Sequence, residues 1–398
     1  MSRSTIAQLE LGNRSLRAEE LSRLAQIYGC SPTSLLSLPD SQTEGSRDEL
    51  LEDLCQAVPE YHSGSGDLDA VREVVEISRE LTRLESVLGL EGYAAAPPSH
   101  AFGMPSTQWE CAHQGYVAAQ EERWRMNLGD APIRDVDDTL AMMRVRATRV
   151  SLPEGMSSLY LHAPETGTLV IVNESLSIEE RRFQYAHGYA HALFDRGQGW
   201  IVCRSENRSS RCELRAAAFA GRFLLPETGV RRYLHSLGKD TLGRAGGVVQ
   251  KLIADVAPSN AQEVPVPVLV EGRGRKGATP ISACDLVQIA CYFGVSISLA
   301  AHNLRNLRYI SDEELAGIES KASQGVLARA TEVMGLRAAR KFPKRDAFRS
   351  RLLGLAVEAL RQRAIEQTQF DHTVKLVHVS LQERQALLQT IPSTSKGA

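Results

Sequence analysis

RRFQYAHGYAHALFDR, residues Arg181 to Arg196, carries two histidines, His187 and His191, at positions i and i+4. An α-helix has 3.6 residues per turn, so both imidazoles project from one face, one turn apart. The flanking sequence predicts how this helix is framed. Upstream, MSSLYLHAPETGTLVIVNES reads as two antiparallel strands joined at Glu165-Thr166-Gly167. Downstream, the residues from 197 to 210 read as a loop, and CELRAAAFAGRFLLP as a helix that stops at Pro226. Most of the remaining chain shows helical periodicity. The expected class is therefore α+β, mainly α, with a small sheet.

The histidine spacing is that of the zinc-protease helix H-E-x-x-H, with Gly188 at the second position. Two histidines supply at most two of the protein ligands a catalytic zinc takes, so a third must come from elsewhere. Glu213 is the candidate. It opens the helix ELRAAAFAGRFLL, where Ala216, Ala217 and Ala220 permit close packing, and the helix N-terminus tolerates a carboxylate. A histidine pair without metal and an ordinary helix-start carboxylate are the plainer readings of the same residues.

The surroundings carry a resemblance. GTLVIVNES, RRFQYAHGYAHALFDR and CELRAAAFAGRFLLP together resemble the core of the ImmA/IrrE family of metallo-endopeptidases. Phe183, Ala186, His187, His191 and Leu193 match the family's R-F-x-x-A-H-E-x-x-H-x-L helix. Glu213, Ala216, Phe219, Ala220, Leu224, Leu225 and Pro226 match its later E-x-x-A-x-x-F-A-x-x-L-L-x-P helix. The resemblance runs from about residue 108 to 310. It implies a zincin-like peptidase domain, a Zn2+ cofactor, and His187, His191 and Glu213 as its ligands.

This chain departs from that family at the residue that moves protons. The family's glutamate beside the first histidine is the general base, and Gly188 has no side chain to replace it. General acid–base catalysis is worth about 10²- to 10⁴-fold, so metal binding should survive while peptide hydrolysis is weak or lost, as in a pseudoenzyme. Glycine inside a helix also costs about 0.5–1 kcal/mol relative to alanine, so it is not a stability choice. Glu206, in the expected loop, is one substitute base to weigh against an ordinary solvated charge.

The N-terminus holds a second motif. MSRSTIAQLELGNRSLRAEELSRLAQIYGCSPTSLLSL resembles the Cro/C1-type (XRE family) helix-turn-helix, from its recognition helix onward. A recognition helix places its N-terminal side chains at base edges in the major groove. Arg3, Ser4, Thr5 and Gln8 occupy that end. Arg can pair with guanine and Gln with adenine, while Arg14 and Arg17 are placed to meet phosphates. The family's first two helices would precede Ser2, so the motif reads as partial.

Composition bounds the rest. A net charge of −2 on 398 residues confines any nucleic-acid contact to a local patch. Seven cysteines with no C-x-x-C pair argue against a disulfide framework or a cysteine zinc knuckle, and predict reduced, mostly buried thiols in a cytoplasmic protein. No apolar run reaches the roughly 18 residues of a spanning helix. The domain expectation is a partial helix-turn-helix at 1–38, a helical hairpin or dimerising stalk with linker at 39–107, the peptidase-like domain at 108–260 and a C-terminal helical region at 261–398. A basic stretch at 336–363 reads as a solvated helix face or a phosphate track.

The expected function is a DNA-binding transcriptional regulator whose zinc-binding domain serves as a sensor or protein-binding module. Its partners would be operator DNA, as a homodimer by half-site logic, and a regulatory protein or peptide laid along the LVIVN strand. The alternative is an active zinc metallo-endopeptidase that cleaves a repressor. A helical interaction protein with neither activity ranks behind both.

Overall fold

A computed structural model describes residues 66–90, 97, 99–100, 102–239, 281–336 and 347–389. The helix-turn-helix segment, with Arg3, Ser4, Thr5, Gln8, Arg14 and Arg17, lies outside the described residues, as do the linker at 39–46 and the Pro- and Val-rich stretch at 260–280.

In chain order the first elements are α1 (Gly66–Val87), α2 (Gln108–Arg125), α3 (Val136–Met142), β1 (Val145–Val150), β2 (Met156–Ala163) and β3 (Gly167–Asn173). They are followed by α4 (Ile178–Phe194), β4 (Trp200–Arg204), α5 (Arg211–Leu224) and α6 (Glu227–Ser236). After residue 280 come α7 (Ala283–Phe293), α8 (Ile297–Asn306), α9 (Asp312–Ser323), α10 (Val326–Val333), α11 (Ala347–Arg361), α12 (Gln367–Leu376) and α13 (Leu381–Gln389). The fold is α+β and mainly α, with one mixed sheet among the described residues.

The sheet has the order β1-β3-β2-β4. β1 runs parallel to β3, while β2 pairs antiparallel with β3 on one side and β4 on the other. The β2–β3 hairpin turns where the sequence predicts. Gly167 adopts φ 65°, which a residue without Cβ reaches at no steric cost.

Every residue of β3, GTLVIVN, is buried. A strand reads as an unbroken apolar run when both faces of its sheet are covered. Leu159, Leu161, Leu169, Ile171 and Val202 face one side, where they share a core with Val71, Val75, Leu81 and Leu84 of α1, Leu352 and Ala356 of α11, and Phe370 and Val374 of α12. Val170 points the other way, onto α4. The site helix therefore rests on a sheet sandwiched between two helical layers.

Two expectations fail here for physical reasons. The amphipathic pattern of residues 69–90 predicts a dimerising stalk or one arm of a hairpin; α1 spends its apolar face on the sheet and on α11, which leaves no stalk face, while the other arm, residues 48–61, lies outside the described residues. The LVIVN strand is the centre of the sheet, with both edges already paired, so no partner can add to it; the free edges belong to β1 and β4.

A buried polar cluster fixes the α1 layer to the sheet. Arg146 on β1 donates to Glu85 at 2.9 Å and to the Ser78 carbonyl at 2.9 Å. Glu85 also accepts from Arg351 on α11 at 2.8 Å. Within the basic stretch, Arg351 thus holds Glu85, and Arg361 pairs with Glu358 at 2.8 Å. Residues 337–346 of that stretch lie outside the described residues.

The described residues fall into two compact units, and these cut across the boundaries drawn from the sequence. One takes 66–127, 133–223 and 347–389, and holds the sheet; the other takes 128–132, 224–239 and 281–336. The second unit is helical. Its core gathers Leu286, Val287, Ile289, Phe293, Ala300, Ala301 and Leu304. Tyr233 stacks on Tyr292 with ring centroids 4.4 Å apart, and Lys239 reaches Asp285 at 3.0 Å. Among the described residues no single helix is long and apolar enough to cross a membrane.

Candidate metal centre

α4 starts on a complete capping box. The Ser177 hydroxyl takes the Glu180 amide proton, and the Glu180 carboxylate takes the Ser177 amide proton. From that fixed start the helix carries His187 and His191 on the face that meets α5 and β4. α5 presents Glu213 in its first turn. The three residues predicted from the sequence converge: His187 Nε2 lies 3.0 Å from Glu213 Oε2 and 3.2 Å from His191 Nε2, and His191 Nε2 is 3.4 Å from Glu213 Oε1.

A fourth donor joins them. Cys203, on β4, brings its Sγ to 3.6 Å from His191 Nε2. One ligand atom from each of His187, His191, Cys203 and Glu213 falls within 4.8 Å of all the others. All four residues are buried, at 0–5% exposure.

The arrangement fits a metal ion by its own geometry. Zinc bonds of about 2.0–2.1 Å to nitrogen and 2.3 Å to sulfur span a tetrahedron whose edges are roughly 3.3–3.6 Å. The contacts that link His187, His191, Glu213 and Cys203 to their neighbours in the cluster are 3.0–3.6 Å, close to those edges, and all four donors lie within 4.8 Å of one another. Glu213 Oε1 is buried and accepts no hydrogen bond, although it sits beside His191. A buried carboxylate oxygen in that state calls for a counter-charge.

The protonation chemistry agrees. Burial works against charge on both imidazoles, yet Cys203 and Glu213 outweigh it and raise both histidines above their usual value. Burial also pushes the Cys203 thiol up, but the two imidazoles bring it down to about 7. The same histidines hold Glu213 well below the usual carboxylate range against its own burial. The cluster thus concentrates proton-exchangeable donors around one point.

Residues 143–248 match the Peptidase_M78 model, the IrrE N-terminal-like domain. Residues 1–35 match a helix-turn-helix model. The chain thus joins an XRE-type helix-turn-helix segment to an IrrE-like domain, as its motifs imply. No curated protein is significantly similar to it.

In the IrrE-like domain the space beside Gly188 is filled. A Cβ built on Gly188 would stand 2.4 Å from Val170 Cγ1 and 2.9 Å from Cγ2. Glycine is therefore a packing requirement, with the helix seated directly on the central strand. This contact corrects the expectation that Gly188 serves no stability purpose. Glu206 sits exposed in a short 3-10 turn, Glu206–Ser209, like an ordinary surface charge.

Sequence reasoning missed Cys203 because it read residues 197–210 as a loop. The signal was present in WIVCR, a short apolar run rich in β-branched residues, which is strand composition. The cysteine expectation also needs correction. Cys111 and Cys203 are buried, Cys212 and Cys291 are half-buried, and Cys284 is exposed; Cys30 and Cys55 lie outside the described residues.

Outer contacts orient the donors. His191 Nδ1 lies 2.8 Å from Asp195 Oδ2, and a carboxylate only accepts, so Nδ1 carries the proton and Nε2 is left to face the cluster. Asp195 in turn accepts from the buried Arg215 at 2.6 Å, and Arg215 donates to Gln114 at 3.1 Å. Tyr189, on the opposite side of α4, donates to Glu122 of α2, which also accepts from Arg125 at 2.5 Å.

Asp195→Asn should weaken metal binding about 10- to 100-fold, the usual cost of removing an outer hydrogen-bond partner. Competition against a calibrated chelator dye checks this. Unchanged affinity would show that the Asp195 bond does not orient His191.

Proposed function

We propose that the chain is a DNA-binding transcriptional regulator whose IrrE-like domain holds one zinc ion in a centre that does not hydrolyse peptides. The domain serves as a metal-dependent sensor or protein-binding module. The observation that carries this reading is the pair of Val170 methyl groups standing where a base beside His187 would have to start. Burial of all four donors supports it, since a peptidase must expose its metal to a peptide bond.

His187, His191 and Glu213 would hold the metal, with His191 oriented by Asp195. When bound, zinc supplies Lewis acidity and a charge that ties α4 to α5. No residue described beside the cluster offers a free carboxylate to take a proton from an attacking water: Glu213 faces the histidines and Asp195 is occupied by Arg215 and His191. The helix-turn-helix would place Arg3, Ser4, Thr5 and Gln8 at base edges and Arg14 on a phosphate, as a dimer on paired half-sites.

The test is a gel shift with the full chain on the DNA upstream of its own coding region, at controlled salt, with zinc and with chelator. Sequence-specific binding should fall in Arg3→Ala, and Arg14→Ala should lower the salt slope by about one. Binding that is indifferent to sequence and to both substitutions would end the regulator reading. The competing reading, an active endopeptidase, draws on the same donor set. Zinc-dependent cleavage of a repressor-type protein, lost in His187→Ala, would establish it instead.

A further inference from the structure

We propose that Cys203 is the fourth metal ligand, so that two histidines, one cysteine and one glutamate close the centre and leave no seat for water. This rests on the metal-centre reading above and deepens it. Catalytic zinc sites keep one position open for water or substrate, whereas structural ones fill all four with protein. Three ligands came from the motif. The fourth comes from an edge strand whose register is built to deliver it.

Among the described residues β4 pairs with β2 alone, with Cys203 opposite Ser158 and Val202 opposite Leu159. Strand residues alternate between faces, so Val202 goes into the core on the α1 side and Cys203 goes to the α4 side. A slip of one residue would withdraw the sulfur and bury it on the wrong face. The register is pinned by a bulge. Met156 pairs with Arg204 and Ser158 with Cys203, so Ser157 is the extra residue on β2.

Ser157 is also tied down, its hydroxyl donating to the Cys203 carbonyl at 2.9 Å. On the other side Asn207 donates to the Val202 carbonyl at 3.3 Å. Bulges re-aim side chains beside functional sites, and this one holds the backbone on both sides of the sulfur.

A thiolate in the set favours soft or borderline tetrahedral ions such as Zn2+ over oxygen-seeking Mg2+ or Mn2+. As the sulfur binds, the thiol releases its proton to solvent. A closed site also has no use for a general base, so glycine at 188 and cysteine at 203 suit the same centre.

The test is Co2+ titration of the full chain after chelator stripping, under reducing conditions, followed by absorption. The wild type should take one equivalent, with intense tetrahedral ligand-field bands and a near-ultraviolet sulfur-to-cobalt charge-transfer band. Cys203→Ser should lose the charge-transfer band and bind cobalt at least about tenfold more weakly, the lower bound for losing even an outer partner. Cys212→Ser, next to Glu213, should keep the band.

A wild-type complex without the band would overturn the Cys203 assignment and leave the metal centre standing. So would a band lost in Cys212→Ser and kept in Cys203→Ser. A folded wild type that binds no cobalt would overturn both readings. The wild-type and Cys212→Ser spectra decide the matter even if Cys203→Ser does not fold.

Discussion

Introducing glutamate at position 188 should destabilise the protein and restore no peptidase activity. The first carbon of any side chain there meets Val170 Cγ1 at 2.4 Å. Val170 is fully buried in the central strand, opposite Ala147 of β1 and Tyr160 of β2. Its branched side chain has little rotamer freedom, and the strand has no free edge toward which to move.

Even Gly188→Ala, which would gain about 0.5–1 kcal/mol at an open helix position, should lose about 1–3 kcal/mol through overpacking. Gly188→Glu should lose more, because a longer side chain starts from the same blocked position. Urea denaturation measures both. Pairing Gly188→Ala with Val170→Ala should recover much of the loss, as contacting residues are non-additive. A Gly188→Ala protein more stable than wild type would show that α4 does not press on β3.

Removal of the metal should have the second large effect. Without an ion the four buried donors must hold protons among themselves. Two imidazole nitrogens stand 3.2 Å apart, and a carboxylate oxygen lacks a donor. Free zinc at about 1,000 times its Kd stabilises the binding-competent state by about 4.1 kcal/mol. For a unit of this size that corresponds to a Tm shift of roughly 8–16 °C.

Scanning calorimetry should therefore show the sheet-bearing unit melting earlier after chelation and recovering with added zinc. His187→Ala and Glu213→Gln should melt at one temperature with or without zinc. Identical melting of stripped and zinc-loaded wild type would mean that the cluster contributes no metal-dependent stability.

How far the sequence could be read depended on whether a feature was local. His187 and His191 are set by helical spacing, and Glu213 by the small-residue pattern of the following helix, so all three were legible and converge. The β2–β3 hairpin was legible from two short apolar runs and from the glycine at the turn between them. The pairing of α1 with α11 and α12 was not, because an amphipathic face announces that it will be buried without saying against what. The position of β3 in the sheet was hidden for the same reason: a fully apolar strand reveals two covered faces but not its neighbours.

Gly188 marks the limit most clearly. Its identity departs from the glutamate of the motif, and only the Val170 contact showed that the space beside it was occupied. Cys203 was lost through a local misreading, a five-residue strand taken for part of a loop.

The metal content of the full chain, purified under reducing conditions without chelator and measured by elemental mass spectrometry, tests the central claim most directly. The expected result is about one zinc per wild-type chain, in line with the four-donor capacity of a structural site, and a loss of that zinc in folded His187→Ala and Glu213→Gln proteins. Wild-type protein that is folded and free of metal, or variants that retain zinc at the wild-type level, would contradict it.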